Sequence, residues 1–233
     1  MTTGVFDNYL NKAWPYRFTA SLLVRNIHGG TPSDPKKTEG WIRSKLEKKD
    51  DAIMALVTKT MAERGVNYDQ AVDEVSDLKN LNGFKRDEEH GLYVEGRTVK
   101  AAIKEAASVA VASGALTQRG WGKTNKGLLG YIAEHVFVEE DIIPLGVEAP
   151  DGVHQRFVHT FRGAGIQLEE YLTEAKISFT VLSDHDFSEK EWAAIWLKGE
   201  KQGLGASRSM GCGTYKVVEW TPLHKKNPSK AKV

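Results

Sequence analysis

Apolar and polar residues alternate from Tyr16 to Ile27. Tyr16, Phe18, Ala20, Leu22 and Val24 fall on one side, and Arg17, Thr19, Ser21, Leu23 and Arg25 on the other. A period of two predicts a strand with one buried face. The turn formers His28-Gly29-Gly30-Thr31-Pro32-Ser33-Asp34-Pro35 end it in a loop. From Thr38 to about Leu78 the spacing becomes helical. Trp41, Ile42, Lys45 and Leu46 share one face; Ile53, Met54, Leu56, Val57, Thr60 and Met61 form a broader one, with Gly65 placed as a C-terminal cap. Tyr68 to Leu78 is a third, more acidic candidate. The block 38–80 has almost no β-branched runs and reads as a helical insertion.

Leu92–Glu95 is a short strand that runs into Gly96. Val99, Ala102, Ile103, Ala106, Val109 and Ala110 then recur at helical spacing, with Thr98 as the expected N-cap. Residues 115–127 form a basic, glycine-bearing loop. Extended patterns cover Tyr131–Leu145, Gln155–Phe161 and, by clear alternation, Ala175–Leu182. Ser188 followed by Glu191 is a capping box. It opens a helix with the stripe Trp192, Ile195 and Trp196 that stops near Gly199. A loop with glycines at 203, 205, 211 and 213 precedes a last strand, Thr214–Thr221, and 224–233 is a lysine-bearing tail expected to be disordered. Without the insertion, the order is β-α-β-β-α-β. That is the order of the ferredoxin-like fold: an α+β domain over 1–223, with an antiparallel sheet and two helices on one face, plus the insertion at about 38–80.

Composition narrows the function classes. The 233 residues are 40% apolar, enough for a sizeable core without disulfides or metal. The one cysteine, Cys212, excludes a disulfide framework and a cysteine zinc site and suits a reducing, cytoplasmic setting. No apolar run approaches the length of a membrane span, and the start lacks a secretory pattern, so no membrane association is expected. Net charge is only +1, but its distribution is uneven. Arg97, Lys100, Lys104, Arg119, Lys123 and Lys126 face a single acid, Glu105, within 97–126; Lys201, Arg208 and Lys216 face none within 201–216. Such segments make a local positive field on a neutral protein, or else solvated faces.

Several motifs exclude more than they assign. Gly120-Trp121-Gly122-Lys123-Thr124 ends like a phosphate-binding P-loop, but Thr117 stands where that motif needs glycine, and a helix precedes it. The 203–213 loop joins a helix to a strand, the reverse of a dinucleotide fingerprint. The seven histidines form no metal set. Neither cofactor nor metal is expected. His28, at the end of the first strand, and Asp34, in the loop after it, are the two candidates for a catalytic group, each with a plainer reading as a structural histidine and a turn former.

Three motifs resemble one family. Gly203-Leu204-Gly205-Ala206-Ser207-Arg208-Ser209-Met210-Gly211-Cys212-Gly213 before a final strand resembles the glycine-rich loop of the RAMP superfamily, the RNA-binding proteins of CRISPR systems. Leu92-Tyr93-Val94-Glu95-Gly96-Arg97-Thr98-Val99-Lys100-Ala101-Ala102-Ile103 is similar to its strand-to-helix segment, with Glu95 in place of a proline and Ala101 in place of a second glycine. His28-Gly29-Gly30 is similar to its first glycine-bearing loop. The order looks most like a backbone subunit, or a diverged relative on a mobile element. The resemblance implies a modified RRM-like sheet that lines a guide or single-stranded RNA beside other subunits or further copies of itself. It implies RNA contacts from Arg25, Gly29, Gly30, Arg97, Lys100, Gly203, Gly205, Arg208, Gly211 and Gly213. The charge pattern adds Lys104, Arg119, Lys123 and Lys126, and the loop chemistry adds Ser207. An endoribonuclease of the same fold using His28 or Asp34, and an assembly protein that kept the fold without RNA, remain the alternatives.

Overall fold

The computed structural model describes residues 13–32, 35–78, 81–116, 132, 134–160 and 163–223. The chain is α+β. Strands β1 (Tyr16–His28) and β2 (Thr31–Pro32) are followed by helices α1 (Pro35–Glu47), α2 (Asp51–Arg64) and α3 (Tyr68–Leu78). Strands β3 (Leu81–Gly83), β4 (Lys85–Asp87) and β5 (Gly91–Glu95) lead into helix α4 (Gly96–Ala112). Then come β6 (Val136–Val138), β7 (Ile142–Pro144), β8 (Gly152–Thr160), β9 (Gly163–Ser183), helix α5 (Glu189–Gln202) and β10 (Tyr215–Pro222). Two compact units result. Of the described residues, the first takes those within Met1–Ile27, Arg86–Ala149 and Thr173–Val233, and the second those of His28–Lys85 and Pro150–Leu172.

In the first unit the strands lie in the order β10-β1-β9-β6. β10 runs antiparallel to β1, from Phe18 opposite Pro222 to Val24 opposite Tyr215, with a shift of register between Ser21 and Leu22. β6 runs antiparallel to the end of β9, Val136 opposite Ser183. The inward positions of the alternating strands are buried: Ala20, Leu22 and Val24 of β1 and Ile177, Phe179 and Val181 of β9. Val99, Ile103, Ala106 and Ala110 of α4 and Trp192, Ile195 and Trp196 of α5 are buried as well, and the two helices pack on each other. A small sheet, β4-β5-β7, completes the unit.

α4 begins three residues before the sequence suggests. Glu95, not Thr98, is the N-cap, and it makes no side-chain capping bond. The reason is Gly96. Its N–H donates to the carbonyl of Asp141 (3.0 Å), and a β-carbon there would run into the carbonyl of Glu140. The strand therefore turns into the helix where only glycine fits beneath the passing chain.

In the second unit β2 pairs antiparallel with β3, β3 lies parallel to the first part of β9, and β8 forms an antiparallel pair with β9. The expected insertion is three helices with their own core of Ile42, Ile53, Val57, Ala71, Val72 and Val75. Asp50 caps α2 by accepting from Ile53 N–H (3.2 Å), and Gly65 ends it in the left-handed conformation with its N–H on the Met61 carbonyl. Among the described residues no helix is long and apolar enough to cross a membrane.

Candidate nucleic-acid interface

The loop between α5 and β10 closes at its base through backbone bonds. Leu204 N–H donates to the Gly213 carbonyl (2.8 Å), and Gly213 N–H donates to the carbonyl of Asn26 in β1 (2.8 Å). Arg25 N–H donates to the Thr214 carbonyl (2.8 Å), and the Asn26 amide reaches Cys212 Sγ at 3.4 Å. Leu204 and Cys212 are buried. Gly203 and Gly213 make this closure possible, since a β-carbon on either would meet backbone of the opposite limb. These two glycines hold the loop together and are not presented to a ligand.

The tip is different. Ser207 and Gly211, both left-handed, bracket a 3-10 turn over Arg208–Met210. Ser209, Met210 and Gly211 are exposed, and Gly205 stands half-buried beside the turn. Arg208 Nη1 lies 2.5 Å from Glu105 Oε2. That bond sets the tip against α4. Arg25, whose backbone holds the loop's far end, is 68% exposed, with Glu174 at 3.9 Å. Arg25 and Arg208 thus border one glycine loop.

Arg97, Lys100 and Lys104 stand apart from that pair. Arg97 is 77% exposed and pairs with Glu95 at 2.7 Å. It precedes Lys104 by seven residues, about 10 Å along the helix axis. Lys100 Nζ lies 3.5 Å over the Phe137 ring. Burial, then repulsion from Lys104, holds its pKa below the usual lysine value. Positions 100 and 105 are about 140° apart around a helix. Arg208 and Lys100 therefore approach opposite flanks of α4, with Lys104 beside Lys100, and the described cations do not form a single track. Arg119, Lys123, Lys126 and Asp34 lie outside the described residues.

In the second unit Gly29 is packed, not presented. Its N–H donates to the Glu170 carbonyl (2.9 Å), and a β-carbon would strike Gly83. Gly30 is exposed. His28 is only 3% exposed, with Nδ1 2.8 Å from Glu169 Oε2. Glu169 also accepts from Gln167 Nε2 (2.7 Å) and lies 3.4 Å from Arg156 Nη2. Glu170 accepts from Phe84 N–H (3.0 Å). This buried polar knot gives His28 the structural role. Glu169 and Glu170, adjacent in sequence, read as a solvated face and offer no sign of it.

Among the described residues no three His, Cys, Asp or Glu side chains gather as a metal site. No protein-family model matches the chain, and no curated protein matches it.

Proposed function

We propose that the chain binds single-stranded RNA through the 205–211 tip of its glycine loop, in the manner of a RAMP-type backbone subunit of a ribonucleoprotein complex. The strand order β10-β1-β9-β6 with α4 and α5 supports a ferredoxin-like reading of the first unit, as two interleaved split βαβ units. The observation that carries the reading is that Arg25 and Arg208 flank an exposed turn whose base is locked. A phosphate backbone seated there displaces the Glu105 and Glu174 partners. Exposed ion pairs are worth only about 0–1 kcal/mol, so the exchange is cheap. Recognition rests on phosphate and stacking rather than base edges.

Two neutralised phosphates imply a slope of roughly −1.4 for log affinity against log salt. Filter binding of a labelled single strand at several salt concentrations tests this. Arg25→Glu with Arg208→Glu is expected to weaken binding more than tenfold, on the order of one to two phosphate contacts. A flat salt response, or no binding at micromolar protein, overturns the proposal.

A further inference from the structure

At the opposite end of β1 from the glycine loop, the first unit holds a pocket of about 450 Å³. Nine residues separate Arg17, in its wall, from Asn26 at the loop base, about 30 Å of strand. The size falls in the range of small-molecule sites. Tyr16, Phe18 and Trp220 supply the aromatic wall, backed by the buried rings of Phe187 and Trp192. Phe18 stacks on Trp220 (ring centroids 4.5 Å, planes 9° apart), and Phe187 meets Trp192 edge-on at 5.2 Å. The rings brace one another, so the walls are set before any ligand arrives.

The charge of the pocket is one-sided. Its cation, Arg17, is engaged by both carboxylate oxygens of Glu139, at 2.6 and 2.5 Å. Its two lining acids, Asp186 and Glu189, are exposed and have no ion-pair partner among the described residues. The N-terminus of α5 contributes about half a positive charge. Two full carboxylates outweigh it, and that terminus is already capped by Ser188 and Glu191. The indole N–H of Trp192 and Arg17 Nε are sealed from solvent and do not face the space.

Aromatic walls with uncompensated carboxylates at the mouth are the surroundings that favour a weakly hydrated cation. We infer that this pocket binds a small alkylated ammonium ion of the choline type, held by the aromatic rings and by Asp186 and Glu189. The site is independent of the RNA-binding reading.

Tryptophan fluorescence of the full chain, titrated with choline at constant ionic strength, tests the inference. The neutral isostere 3,3-dimethylbutan-1-ol is the control. Choline gives a saturable change and the alcohol does not. The Asp186→Asn, Glu189→Gln double variant, altered only at exposed positions, keeps its circular dichroism and raises the half-saturation concentration roughly tenfold. No saturable change, an equal response to the alcohol, or unaltered binding by the folded double variant each overturns it.

Discussion

The hydroxyl of Tyr215 occupies the space that a β-carbon on Gly199 would fill. The same carbon would stand 3.3 Å from the methyl of Ala106, so one missing side chain lets α5, α4 and β10 meet. Gly199→Ala gains about 1 kcal/mol of helix propensity. It loses about 1–3 kcal/mol to overpacking against a rigid ring and a neighbouring helix. The expected net result is a lower urea midpoint, and a smaller drop in a Tyr215→Phe background, measured as a double-mutant cycle.

Tyr215 also sets an alkaline limit. Burial, then the nearby Glu200 carboxylate, pushes its phenol pKa well above the ordinary value. In the unfolded chain it ionises near pH 10. Above that pH the unfolded state releases a proton that the folded state keeps. Its contribution is therefore complete below about pH 10 and declines as pH rises further. Urea midpoints between pH 9 and 11 (roughly the reach of the assay around the reference pKa) should fall less steeply for Tyr215→Phe than for the wild type.

Glu200 guards a sheet edge. One carboxylate oxygen accepts from Val217 N–H at 3.1 Å, and the other lies 2.6 Å from Lys216 Nζ. β10 is the end strand of its sheet, and an open edge invites pairing with another chain. Glu200→Ala is expected to cost about 1–3 kcal/mol through the lost charge-assisted hydrogen bond to a part-buried amide. It should also increase self-association in sedimentation velocity relative to the wild type, while Glu200→Gln, which keeps an acceptor, should not.

Much of this architecture was legible from residue spacing. The Gly65 cap, the Ser188–Glu191 box, the three insertion helices and the alternation of β1 all rest on local rules, and each is where those rules put it. β9 was visible only over 175–182, yet it spans Gly163–Ser183. Glu169 and Glu170 break its pattern, because their burial depends on partners more than eighty residues away in sequence for Phe84 and Glu170. In the candidate interface, Arg208 and the loop glycines stood out by composition. The Glu105 partner that fixes the tip, 103 residues away, could not. Nor could the sequence divide the glycines into those that lock the loop and those that stay exposed.

The knot around His28 gives a sharp test in the second unit. Glu169→Ala removes one acceptor shared by His28, Gln167 and Arg156. Leaving buried donors without their acceptor typically costs about 1–3 kcal/mol. A loss of that size in urea unfolding is expected, with a smaller one for Glu169→Gln. Unchanged stability in both variants would contradict the structural role assigned to His28.

The chain's lone thiol is buried under the base of the glycine loop, in contact with the Asn26 amide. Cys212 is thus a built-in clock. A colourless aromatic disulfide can capture it only when the two limbs part, so the labelling rate counts excursions of the loop without any introduced probe.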